Sequence, residues 1–169
     1  MSPGKLILGV LLMAGCVSSP DRQQQRYAEA KALFDKTAKE YHLPSAEAKG
    51  TEHDRLLSQA AAGYEQLLRQ YRDQPHWCAP ATRSLANVRA EQGRTDEAVK
   101  LYASVESRYP GEEWEILQSW KSAGDLLWEA GQQEPARVYY RKIVERFDTA
   151  DAPGLYKVIV KGARSKLSD

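Results

Sequence analysis

The chain has 169 residues, with 24 Lys and Arg against 23 Asp and Glu for a formal charge of +1; 42% of it is hydrophobic and 9% aromatic. That suits one ordinary soluble domain, long enough to bury about two thirds of its unfolded surface and too apolar to stay disordered. The near-zero charge excludes the basic footprint of a nucleic-acid binder, two cysteines exclude a disulfide scaffold, and no apolar run is long enough for a multi-span membrane protein.

The first element is an address rather than part of a fold. Lys5 precedes Leu6 to Ala14 (LILGVLLMA), an apolar run too short to cross a bilayer but the right size for the core of a signal peptide. It ends in Met13-Ala14-Gly15-Cys16. Small residues directly before a cysteine resemble the bacterial lipoprotein signal, with Met13 where Leu is commoner. The resemblance implies removal of residues 1–15 and acylation of Cys16. Each buried CH₂ contributes about 0.8 kcal/mol, and two or more chains hold a protein stably on a membrane. Val17 and Ser18 follow, with no Asp, which by the same resemblance implies the periplasmic face of the outer membrane. The alternative is an ordinary secretory signal cut at another small residue. Residues 16–20 are the lipidated cysteine and a short linker. Its four residues reach roughly 15 Å at ~3.5 Å each, so the folded part, 21–169, is expected close to the membrane.

From Asp21 to Tyr41, Tyr27, Ala30, Phe34, Ala38 and Tyr41 recur at helical spacing. Leu43-Pro44-Ser45 is expected to break that helix, with a loop up to Gly50. Thr51, with Asp54 three residues on, approximates a capping box for a long helix from about 52 to 73. Three segments then align at a constant offset of 38: Ala60, Tyr64, Leu67, Tyr71; Ala98, Tyr102, Val105, Tyr109; and Ala136, Tyr140, Ile143, Phe147. Their spacing of 4, 3 and 4 puts each set on one helical face, with the small Ala admitting a neighbouring helix. Gly93 and Gly131 stand five residues before Ala98 and Ala136, where a left-handed glycine can end one helix and begin a turn. Thr95 is a candidate N-cap. Leu155, Val158, Ile159 and Ala163 mark a last amphipathic helix, a cap over the final unit.

The order of bulky residue, small residue, Gly turn, then Ala-x₃-Tyr-x₂-aliphatic resembles the tetratricopeptide repeat. Trp120, Ala123, Gly124, Leu127, Ala136, Tyr140 and Ile143 carry it best; Leu85, Ala86, Ala98, Tyr102, Val105 and Pro110 carry it in the preceding unit, where Arg89 replaces a bulky residue. The repeats run at about 79–112 and 117–150, with a partial unit at 51–75. The resemblance implies an all-α solenoid of about seven helices with flanking and capping helices. It also implies a concave face for a partner, on which Arg83 and Asn87 of one unit and Lys121, Asp125 and Trp128 of the next would lie. Arg83 and Lys121 suit a carboxylate, Asn87 a peptide backbone and Trp128 an aromatic anchor. The competing reading of these residues is a plain solvated helix face.

Catalytic signals are weak. His42, His53 and His76 make no metal-ligand spacing, and there is no phosphate-cradling glycine loop or GxSxG elbow. No catalytic residue, metal, cofactor or small-molecule substrate is therefore expected. His76 and Cys78 are two residues apart, pointing to different helix faces, so Cys78 reads as a packing thiol. Glu112, Glu113 and Glu115 suit a helix N-terminus. Trp120 falls at a core position, whereas Trp114 fits core or surface. The leading expectation is a lipid-anchored, non-catalytic adaptor of the bacterial envelope that binds a protein or peptide. It looks like the outer-membrane helical-repeat lipoproteins that serve β-barrel, pilus and secretin assembly or the Tol-Pal complex. The alternatives are an envelope thiol enzyme using Cys78 and a structural or cell-wall-binding lipoprotein.

Overall fold

A computed structural model describes residues 19–168; the signal segment 1–15, Cys16 and linker residues 17 and 18 lie outside the described residues. Among the described residues the protein is all-α, without a strand. Seven long helices follow one another: α1 (Ser19–Thr37), α3 (Gly50–Gln70), α4 (Pro75–Glu91), α5 (Thr95–Arg108), α6 (Glu113–Glu129), α7 (Gln133–Phe147) and α8 (Gly154–Ser168). A π-helical stretch (Ala38–His42) and a single turn, α2 (Leu43–Ser45), lie between α1 and α3.

Each helix packs against the next in sequence, and α1, α4, α6 and α8 also touch in succession. The second helices, α3, α5 and α7, engage mainly the first helices on either side. The first-helix side is therefore the inner arc of a solenoid, the stacking typical of helical repeats. The repeated faces supply its core. Ala60, Tyr64 and Leu67 of α3, Ala98, Tyr102 and Val105 of α5, and Ala136, Tyr140 and Ile143 of α7 are all buried. Burying each large side chain stabilises by about 1.5–3 kcal/mol. Trp120 is 3% exposed, edge-on to Phe147 with ring centroids 5.8 Å apart. Trp114 is half-buried and packs on Tyr156 of α8 at 5.5 Å.

The two glycine turns are copies of one another. Gly93 and Gly131 have φ of +73° and +75°. At the first, the Arg94 amide donates to Arg89 O and the Gly93 amide to Ala90 O; at the second, Gln132 donates to Leu127 O and Gly131 to Trp128 O. This is the Schellman pairing, and its left-handed residue favours glycine. Arg89, the polar exception in the repeat, lies at the seam of α3, α4 and α5. Its guanidinium donates to Glu65 at 2.5 Å and to Gln92 at 2.8 Å, tying two units together.

Several local expectations change. Pro44 does not break the first helix, because the backbone stays right-handed helical from Thr37 through Ala46. The π-helical stretch bonds Leu43 N to Ala38 O, and this wider turn directly before Pro44 accommodates the proline ring. The helix drawn from 52 to 73 spans Gly50–Gln70, and neither Thr51 nor Asp54 makes a capping box: Lys49 is the N-cap, without a side-chain bond. Thr95 is the first residue of α5, behind the N-cap Arg94, which pairs with Glu97. Helices α4 and α6 start at Pro75 and Glu113, ahead of the repeat starts read at Ala79 and Leu117. In α8 the buried residues are Val160 and Ala163, while Leu155 and Val158 are 67% and 69% exposed.

The inner face and the seam between α6 and α8

Arg83 sits midway along α4, at the seam with α6. Its Nε donates to Glu115 Oε2 at 2.6 Å, and both side chains are largely sequestered, 24% and 13% exposed. Glu115 lies in the first turn of α6, where the helix dipole also favours a carboxylate. One turn beyond Arg83, Asn87 accepts a 2.6 Å hydrogen bond from the Tyr102 hydroxyl through Oδ1. In the next unit the corresponding carboxylate, Asp125, accepts from Tyr140 at 2.9 Å and, through its other oxygen, from Lys121 Nζ at 2.6 Å.

The repeated tyrosine thus ties its own helix to the first helix of its pair in both complete units. Burial, above all, pushes the Tyr102 hydroxyl up to about 12 and raises Tyr140 further, with the Asp125 bond adding to the latter. In the first unit Tyr64, also raised to about 12 by burial, meets His42 Nδ1 at 3.0 Å instead. The π-helical stretch delivers that histidine, whose Nε2 stands 3.3 Å from Glu91.

Trp128 is half-buried rather than open: Lys166 Nζ of α8 lies 4.3 Å above its ring, the Arg137 guanidinium 5.8 Å away, and its centroid 6.1 Å from that of Tyr140. Trp128 is thus covered by α7 and α8 side chains, and the other four expected partner-binding residues fall into two groups. Arg83 and Asn87 are already engaged, the first by Glu115 across the α4–α6 seam and the second by Tyr102 of α5. Lys121 and Asp125 line a cleft of about 190 Å³ between α6 and α8, floored by Tyr140 and Ile143 and walled by Val158, Ile159, Gly162 and Lys166. Leu155 and Val158 have the spacing of a buried stripe yet lie 67% and 69% exposed, so that stripe does not reveal the α8 face that walls the cleft. The pattern Val160, Ala163, Leu167, which repeats Trp120, Ala123, Leu127 of α6, is the signal that sets the helix in its true rotation.

Cys78 is buried and its Sγ lies 3.1 Å from Tyr71 O, with desolvation pushing its thiol up. His76 points elsewhere, stacked on Tyr27 and 3.4 Å from Glu112. A buried thiol of raised pKa, without a base, is a packing group rather than a nucleophile. Glu113 pairs with Arg146. Among the described residues no three His, Cys, Asp or Glu side chains gather to hold a metal ion, and no helix is long and apolar enough to cross a membrane.

Residues 84–111 match the family model of the tetratricopeptide repeat, a stretch that takes in the C-terminal half of α4, the Gly93 turn and α5. No curated protein matches the chain. Helix pairing, the two Schellman turns and this partial match together make residues 19–168 an all-helical repeat domain that resembles the tetratricopeptide repeat, with the family match itself confined to residues 84–111.

Proposed function

We propose that this protein is a non-catalytic, lipid-anchored adaptor of the bacterial cell envelope that binds a partner protein through its inner face. The observation that carries the reading is the inner arc itself. Four first helices lie side by side and present charged and amphipathic side chains along one continuous surface. Stacked helix pairs of this kind use such a surface for peptides and partner helices. The anchor and the outer-membrane address rest on Met13-Ala14-Gly15-Cys16 and the residues after it.

Two experiments test the two halves. Capture of the partner by the full chain is expected to fall at least about tenfold in Lys121→Glu and to persist in Lys100→Glu on exposed α5 surface. Arg83 is a poor choice for this test, since its loss would strand the buried Glu115. Equal capture by both variants would move the site off the inner face. For the anchor, Cys16→Ala should abolish incorporation of labelled fatty acid and shift the protein to the soluble fraction. Unchanged labelling would refute acylation at that residue.

A further inference from the structure

The two seams of the inner arc are built differently. At the α4–α6 seam a cation of one unit, Arg83, is met by a carboxylate of the next, Glu115. At the α6–α8 seam the cation is Lys121, and its acidic partner Asp125 is on its own helix, one turn away. The reason lies in the register of α8. Val160, Ala163 and Leu167 stand in α8 as Trp120, Ala123 and Leu127 stand in α6. On that register the place of Glu115 falls to Leu155, that of Gln118 to Val158, that of Ser122 to Gly162 and that of Leu126 to Lys166. The connection 148–153 before α8 is two residues longer than 109–112 before α6, which is why the count along the chain shifts.

The substitutions have two physical effects. Gly162 in the place of Ser122 removes filling from the seam, and Lys166 in the place of Leu126 carries its ammonium onto the Trp128 ring at 4.3 Å, leaving the cleft of about 190 Å³. Replacing Glu115 by Leu155 removes the carboxylate that would cross it. What remains is an apolar trough, with Val158 exposed at its edge and Lys121 and Lys166 on its rim. Helix α8 carries Lys157, Lys161, Arg164 and Lys166 and no acidic residue between Gly154 and Ser168. Of these, Arg164 pairs with Asp148 and Lys157 donates to Ala150 O, while Lys166 lines the cleft with Lys121 against the single carboxylate of Asp125, itself held by Tyr140 and Lys121, so the rim favours an anion. The cleft is smaller than the roughly 300–1,000 Å³ of pockets that take whole small molecules, so it suits a single inserted side chain.

We propose that the α6–α8 seam docks an acidic segment of a partner protein, which inserts one aliphatic side chain between Tyr140 and Val158 and sets a carboxylate on Lys121, as Glu115 is set on Arg83. The proposal rests on the inner face being the partner-binding face, and it names the place and the chemistry. The Arg83–Glu115 pair in the seam one unit earlier is the protein's own precedent for the carboxylate contact.

The test is site-specific photo-crosslinking of the full chain in the cells that express it, with p-benzoylphenylalanine placed at Val158 in one arm and at Ser122, on the α4–α6 side, in the other. The adduct from Val158 is expected to map to a partner stretch carrying Asp or Glu beside an aliphatic residue. Gly162→Leu, which fills the cleft, and Lys121→Gln are each expected to lower its yield at least about tenfold. A β-carbon at Gly162 meets nothing within 4 Å, so the filling variant is expected to keep its helices, checked by circular dichroism. A basic or purely polar captured stretch, or a yield unmoved by both variants, overturns the proposal. An adduct from Ser122 alone overturns it while leaving the inner-face reading intact. No adduct from either position defeats both.

Discussion

Tyr140 donates its hydroxyl hydrogen to the Asp125 carboxylate at 2.9 Å, and Tyr102 does the same to Asn87 at 2.6 Å one repeat earlier. Each bond links the second helix of a pair to its first, so it acts on the stiffness of the unit as well as on the inner face. Bonds of this kind contribute about 1 kcal/mol, more when the acceptor is charged. Tyr140→Phe and Tyr102→Phe are each expected to lower the free energy of urea unfolding by about 1–2 kcal/mol. A midpoint unchanged in either variant would show that its hydroxyl does nothing for the fold.

The same burial makes the protein sensitive to alkali. An unfolded tyrosine ionises near its ordinary value of 10.0, whereas folding pushes Tyr64 and Tyr102 up to about 12 and Tyr140 beyond. The phenolate is the form the fold disfavours, so the contribution of these groups is complete below the unfolded value and is lost as pH rises through and above it. Phenolate absorbance and helical circular dichroism followed together should show the buried tyrosines ionising with the loss of helix. Full ionisation near pH 10 with the helices intact would contradict their burial.

Three glycines separate close packing from backbone need. A β-carbon at Gly124 would fall 2.8 Å from Tyr140 Cε1, in the heart of the last complete unit. Gly124→Ala is therefore expected to cost about 1–3 kcal/mol through overpacking. Gly93→Ala meets no neighbour but must hold φ at +73°, at a cost of about 1–2 kcal/mol. Gly162→Ala, with open space and ordinary helical backbone, is expected to raise stability by roughly 0.5–1 kcal/mol. Thermal or urea unfolding of the three gives the ranking, and a destabilised Gly162→Ala would mean that α8 packs more closely than described.

Cys78 provides a check on the core. Its thiol is expected to resist a disulfide exchange reagent in the native protein and to react fully in guanidinium. Rapid native reaction would restore the thiol to consideration as a functional group. The same reagent should leave helix content unchanged, because a group it cannot reach cannot perturb the packing beneath α4.

Much of this architecture was legible in one dimension. The 38-residue recurrence of Ala, Tyr and an aliphatic residue located α3, α5 and α7, because a helix shows its buried face as a periodic pattern. Gly93 and Gly131 marked their turns through the one conformation that favours glycine. Helix ends were read less well. Thr95, Thr51 and Asp54 have the chemistry of caps, yet the backbone satisfies those ends without them. Pro44 read as a breaker, but a π turn just before it keeps the helix going.

By itself the sequence determined the composition of the units: which residues recur and where the chain turns. Only the tertiary structure decided what those residues face. Arg83, Asn87, Lys121 and Asp125 look alike as polar positions on a helix, but neighbouring helices assign them different partners, Glu115, Tyr102 and Tyr140 among them. Leu155 and Val158 had the spacing of a core stripe, while the longer connection before α8 turns them outward. Periodicity establishes that a helix has a face; the rotation of that face is settled by the atoms of the helices against which it packs.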